Sequence, residues 1–230
     1  MSSKLLLKMY ERLIEHFGPQ GWWPAETPFE VCVGAILTQG TNWKNVEKAI
    51  QNLKSMGLLS PKALYQLDQK TLAELIRPCG YYNVKAKRLK NFISYIVEKY
   101  DGNVERLKGK DLKEVREELL GISGLGKETV DSILLYALDY PIFVVDAYTY
   151  RILHRHSLVP EETTYDELQE FFMDNLPEDL NLFKEFHALL VACGKTYCKA
   201  KSPSCSGCPL KKYRNQLFLD FRIYDEFMDA

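Results

Sequence analysis

The sequence predicts an all-helical protein. Three observations carry that expectation. Apolar residues recur at three- and four-residue spacing, as in Leu6, Met9 and Leu13, or Val130, Ile133, Leu134 and Ala137. No stretch shows a convincing strand pattern. Segments bearing glycine or proline, such as 18–24 and 80–83, break the helical pattern into pieces. There is no internal repeat and no low-complexity segment.

The elements follow in order. Residues 3–17 predict a helix that buries Leu5, Leu6, Met9, Leu13 and Phe17. The loop Gly18-Pro19-Gln20-Gly21-Trp22-Trp23-Pro24 comes next, with two tryptophans beside a proline. They read as a hydrophobic plug or as an aromatic wall for a flat ligand. Pro28 suits the first position of a helix. Val31, Val33, Ala35, Ile36 and Leu37 make that helix read as fully buried, and it ends at Thr38-Gln39-Gly40-Thr41-Asn42-Trp43. Helices are expected at 44–57, 60–67 and 69–77, then from Val84 to Tyr100 and from Asp111 to Leu120. One more starts near Lys127, another runs beyond Asp146, and two cover 165–176 and 182–192.

Composition narrows the class. The 230 residues are 46% hydrophobic and 27% charged, enough for one large domain or two small lobes. A net charge of −1 argues against a protein that coats nucleic acid non-specifically. Local basic clusters remain, at Lys85, Lys87, Arg88 and Lys90, and at Lys195, Lys199, Lys201, Lys211 and Lys212. The first reads as a solvated helix face. The longest apolar runs are far short of a membrane span. The amphipathic N-terminus lacks a cleavage site and reads as a helix. The expectation is a cytoplasmic protein without a membrane partner, whose six cysteines do not form a disulfide framework.

The stretch 119–152 holds the chemistry. Gly121, Gly124 and Gly126 frame a tight turn in which glycine permits positive φ and exposed N–H groups. The turn feeds a helix N-terminus, a place where an anion of phosphate size can bind. Asp146 follows the apolar run from Ile142 to Val145. Two plainer roles compete: a turn that only joins packed helices, and an aspartate that only caps one.

These residues, LLGISGLGKETVDSILLYAL followed by VVD, resemble the helix-hairpin-helix and catalytic-aspartate signature of the endonuclease III superfamily of DNA base-excision glycosylases. The resemblance runs from Trp22 to Cys208 with several motifs in the family's order. It implies two helical lobes with a DNA-binding cleft between them. One lobe would span about 25–140 and carry the hairpin; 1–24 with 141–230 would form the other and carry a cysteine loop. The implied partner is damaged double-stranded DNA, and the implied state is a monomer.

Roles follow residue by residue. The resemblance makes Asp146 the carboxylate beside the oxocarbenium-like sugar. The hairpin, with Gly121, Gly124, Gly126 and Lys127, would grip phosphates, with a monovalent cation shared by the turn carbonyls. Gln39 would fill the gap left by an extruded nucleotide, and Tyr81 would wedge against the orphaned base. Trp22-Trp23-Pro24 is similar to a segment of the 3-methyladenine glycosylase branch that lines the base pocket, and Trp43 falls where that branch places a pocket aromatic. Superfamily members with lyase activity carry a lysine where this chain has Glu128. A glutamate cannot form an imine, so water is the expected nucleophile and no β-lyase step follows. Glu128 also suits a cationic alkylated purine in the pocket. Its plainer role is an exposed acid favoured by the helix dipole. The expected activity is therefore a monofunctional glycosylase for alkylated purines. The alternatives are an endonuclease III-like glycosylase for mismatched, deaminated or oxidised bases, and a lesion-binding protein without catalysis.

Cys198, Cys205 and Cys208 match the first three positions of the superfamily's iron–sulfur loop, C-x6-C-x2-C-x5-C, and Arg214 stands at the fourth. Cys193 lies five residues before Cys198 and is the candidate substitute ligand. Three states stay open: a 4Fe–4S cluster, no metal, or zinc. Cys32 and Cys79 read as core or loop cysteines.

Overall fold

The computed structural model describes residues 2–213 of the chain. Eleven α-helices and short 3₁₀ turns occur among the described residues, with no strand. In chain order the helices are α1 (Ser2–Phe17), α2 (Pro28–Leu37), α3 (Trp43–Ser55), α4 (Pro61–Gln66), α5 (Gln69–Leu75), α6 (Tyr82–Tyr100), α7 (Leu112–Leu120), α8 (Lys127–Tyr136), α9 (Ala147–Arg155), α10 (Tyr165–Asn175) and α11 (Leu180–Thr196).

Most helices start where a short polar side chain can accept a hydrogen bond from the first turn. Thr27, Asn42, Ser60, Asp68, Asp111, Asp146, Thr164 and Asp179 all do so. Such a cap contributes about 1 kcal/mol and fixes the register of the helix start. Thr164 and Glu167 complete a capping box.

The chain divides into two compact units, Met1–Trp22 with Pro141–Ala230, and Trp23–Tyr140. In the second, α2 is buried from Phe29 to Leu37 and packs against α3, α6 and α8. Its apolar reading holds with one exception. Glu30 is also buried, and it is matched by Lys54 Nζ at 2.9 Å.

In the first unit, α11 packs against α1 and α9. Phe143 stacks on Phe172 at 4.0 Å, and Phe183 and Phe186 meet Phe143 edge-on. These rings form one cluster within that core, and truncating one to alanine costs about 3–5 kcal/mol. Gly194 sits where α11 meets α9. A Cβ there would lie 2.3 Å from Tyr148 Cδ1, so only glycine permits this close crossing. No helix among the described residues is long and apolar enough to cross a membrane.

Candidate functional site

The hairpin consists of α7, the turn 121–126 and α8. Of its three glycines only Gly124 takes positive φ, at +99°. Gly121 has φ −66° and caps α7, while Gly126 has φ −94° and precedes α8. The expectation of positive φ is thus corrected at two of the three positions. Gly124 is required twice over, because a Cβ there would also lie 2.3 Å from Arg88 Cγ. Gly126 offers no capping side chain, so the first amides of α8 are not claimed by the residue in front of them. Lys127 is half-buried and Glu128 is exposed on the first turn of α8.

Gln39 lies against this turn. Its Nε2 donates to Gly124 O at 3.2 Å and to Thr129 Oγ1 at 2.9 Å, and its Oε1 accepts from Arg88 Nη1. Asn91 Nδ2 donates to Ser123 O at 2.9 Å. The carbonyls of Ile122, Ser123 and Gly124 therefore already accept N–H groups. A monovalent cation at the turn would share their second lone pairs or use neighbouring carbonyls.

Tyr81 has φ 46° and is 78% exposed at the start of α6, in the left-handed region that costs a bulky residue strain. Val84 beside it is also exposed. The basic cluster on α6 differs from its sequence reading as a solvated face. Only Lys87 is exposed. Lys85 is buried and donates to Leu37 O at 2.9 Å and Cys79 O at 2.7 Å, and burial lowers its pKa. Lys90 donates to the carbonyls of Leu64, Tyr65 and Leu67 at the end of α4. These amines tie down backbone, a role that spacing alone cannot reveal.

The aromatic residues separate by unit. Trp23 meets Trp43 edge-on at 5.3 Å and Tyr136 at 5.4 Å. Trp43 Nε1 donates to Glu47 Oε1 at 2.8 Å. Trp22 belongs to the other unit, where Lys195 Nζ stands 5.9 Å from its ring centre. Pro24 is exposed. The sequence reading missed Tyr136 and Glu47. Glu47 was findable, since it follows Trp43 by one helical turn. Tyr136 was not, because its partners lie far away in the chain.

Asp146 caps α9. Oδ1 accepts from Thr149 N at 2.7 Å and from Thr149 Oγ1 at 2.9 Å. Oδ2 lies 3.8 Å from His187 Nε2 on α11. Burial pushes the Asp146 pKa up, but His187 and the Thr149 N–H and hydroxyl outweigh it, and the carboxyl stays below its ordinary value. A largely buried carboxylate is thereby kept ionised. His187 was missed by sequence reasoning, as a lone histidine carries no signal.

The cysteine loop is held by α9. Arg151 Nε donates to Cys198 O at 2.6 Å, and Arg155 donates to Lys199 O and Ala200 O, each at 2.7 Å. Cys193 Sγ lies 3.8 Å from Cys208 Sγ, and this pairing pulls the Cys208 thiol down to about 7. Cys205 is exposed and Cys198 is buried. Among the described residues no three His, Cys, Asp or Glu side chains converge as a metal-binding set. Arg214 lies outside the described residues. The donor chemistry suits a thiolate-bound metal, but only two of the donors are brought together. Cys32 and Cys79 are buried, in line with a core role.

Residues 33–178 match the HhH-GPD superfamily of base excision DNA repair proteins. The chain belongs to that superfamily. A Methanocaldococcus jannaschii protein that bears the name of a candidate DNA repair glycosylase is 52% identical, over 91% of this chain and 96% of its own length. Endonuclease III of Thermotoga maritima is 32% identical over 81% of this chain and 82% of its own. Among solved structures, the H. pylori 3-methyladenine DNA glycosylase MagIII bound to 1,N6-ethenoadenine superposes with TM-score 0.72 at 32% identity, covering 84% of this chain and 97% of that one. A non-covalent endonuclease III–DNA complex superposes with TM-score 0.80 at 22% identity, over 96% and 99%, which speaks for the fold alone. These relatives make the chain a DNA glycosylase of the HhH-GPD type.

Proposed function

We propose that this HhH-GPD glycosylase is monofunctional and excises alkylated purines of the 3-methyladenine type from duplex DNA. The observation that carries the reading is the Trp23–Trp43–Tyr136 cluster with Glu47 at the indole of Trp43. N3- or N7-alkylated purines are cationic. A tryptophan face attracts a cation by ~0.5–2 kcal/mol, and a neighbouring carboxylate adds to that. The 32% identity to a 3-methyladenine glycosylase points the same way.

Each residue then has a task. The amides of the hairpin turn and of the first turn of α8 hold backbone phosphate. Gln39 occupies the vacated stack and Tyr81 braces the orphaned base. Asp146 stands beside C1′ of the sugar as the glycosidic bond breaks and its electron pair leaves with the base. The cationic base departs neutral, so it needs no protonation. The attacking water forms the new C1′–O bond and releases its proton to Asp146 or to solvent. Glu128 has no amine and forms no imine with the sugar. Lys127 is turned about 100° away on the helix.

We further propose that Cys193, Cys198, Cys205 and Cys208 are the donors for a 4Fe–4S cluster. Its contribution would be structural, stiffening the loop that Arg151 and Arg155 already hold. Iron and sulfide analysis of anaerobically prepared protein tests this; finding neither ends the idea.

The experiment for the activity is a panel of duplexes assayed separately for base release and strand nicking. Release of 3-methyladenine with strands intact until alkali treatment, and no borohydride-trapped complex, is the expected result. Efficient removal of thymine glycol with none of 3-methyladenine would instead favour the endonuclease III-like reading, which the Thermotoga maritima relative keeps in view. Trapping that survives Lys127→Ala would show another lysine reaching the sugar. Trp43→Ala should weaken excision by ~1–3 kcal/mol through lost stacking.

A further inference from the structure

The contacts of Gln39 go beyond what its assigned role needs. Its two N–H groups are both used, one on Gly124 O and one on Thr129 Oγ1. Its carbonyl oxygen takes the Arg88 guanidinium. These partners lie 85, 90 and 49 residues away, so three separate elements meet at one surface amide. Arg88 also fills the space in front of Gly124, where a Cβ would lie 2.3 Å from its Cγ and 3.0 Å from its Cδ. One turn further along α6, Asn91 holds Ser123 O. One turn back, Lys85 holds Leu37 O, where the loop carrying Gln39 begins.

We propose that Arg88 is a positioning residue that locks Gln39 onto the hairpin turn, so that the side chain that fills the stack and the turn that holds phosphate move as one rigid piece. The proposal rests on the glycosylase reading for the role of Gln39, but the lock itself exists in the DNA-free protein. The physical reason is ordering. A surface glutamine has several free torsions, and freezing it during base extrusion slows that step. Arg88 supplies the order beforehand. Its guanidinium is always charged and makes a strong bond to the amide oxygen, while its stem packs on a turn where only glycine fits.

Two arms of one experiment test this on the full chain. In the first, side-chain amide NMR follows the Gln39 Nε2 protons in free protein, with Gln39→Ala used for assignment. Wild type should show two well-separated protons with slowed exchange. Arg88→Met, which keeps the stem, should collapse them toward the values of a free amide, and Arg88→Lys should restore part of the separation. A Gln39 amide that is unchanged in Arg88→Met overturns the proposal whatever the activity. In the second arm, single-turnover excision is measured on a duplex that wild type processes. Arg88→Met should slow excision about tenfold, the scale of ordering one long side chain. Gln39→Ala should do the same, and the double variant should be no slower than either. Defects that multiply would mean that Arg88 acts independently, for instance on a phosphate, and would overturn the lock. A wild-type protein that releases no base from any lesion duplex would sink the glycosylase reading instead, and the NMR arm would still decide whether the lock exists.

Discussion

Two helix starts in this molecule use the same local device for opposite ends. Helix α8 begins on Gly126, which has no side chain to offer its first amides. Helix α9 begins on Asp146, whose own carboxylate takes the Thr149 N–H. A helix N-terminus carries a partial positive charge in both cases. At α8 no side chain at the cap takes up that charge. At α9 it is spent on holding an internal carboxylate in one orientation and in its ionised form. In the proposed function the first N-terminus holds phosphate and the second mounts the catalytic carboxylate. The presence or absence of one side chain at the cap decides which.

The strongest test separates cap from chemistry at α9. Asparagine caps a helix about as well as aspartate, so Asp146→Asn should keep the fold and DNA binding. It should still lose ~10²–10⁴-fold in base release, the usual cost of removing a positioned acid or base. Single-turnover excision beside a thermal melt and a binding titration measures both. Near wild-type excision would move the catalytic role to another residue.

The converse change at α8 is smaller. Gly126 has extended backbone and open space around the Cβ position. Gly126→Asp should therefore fit, cap α8 and raise stability by a few tenths of a kcal/mol. The same carboxylate would occupy the phosphate site, and duplex affinity should fall about tenfold at low salt. Unchanged affinity in a fluorescence anisotropy titration would show that α8 does not hold phosphate.

The smallest effect is on acid stability. The folded pKa of Asp146 lies below its ordinary 3.8. Its carboxylate therefore stabilises the fold above that pH, and the contribution is lost as pH falls through the folded value. In the other unit, Glu118 is drawn down to about 2 by the Tyr95 hydroxyl, then Lys99 and Tyr100, and contributes in the same direction. Denaturant melts between pH 2 and 5 should show less acid destabilisation in Asp146→Asn than in wild type, with Glu118→Gln as a parallel case. An Asp146→Asn protein with the wild-type acid slope would show that its carboxylate is not held ionised.

Much of the fold was legible because helix formation is local. The 3.6-residue apolar spacing, Pro28 at N1 and the capping residues each act over one turn, and they mark helix ends to within a few residues. The hairpin glycines and Asp146 were legible for the same reason. Charge was not. Lys85, Arg88 and Lys90 look like a solvated basic face in sequence, yet each reaches inward to a carbonyl oxygen of another element. A long cationic side chain has the reach to do either, and only the neighbours decide.

The sequence by itself therefore determined the helices, the turn and the acid that follows it, since these depend on residues within one or two turns of each other. Tertiary structure decided which side chains meet: Tyr136 with Trp23, His187 with Asp146, Arg88 and Thr129 with Gln39, Tyr148 with Gly194. Each of these pairs is set by how whole helices cross. A crossing is fixed by the sum of many weak apolar contacts across a core, and no short stretch of sequence carries that sum.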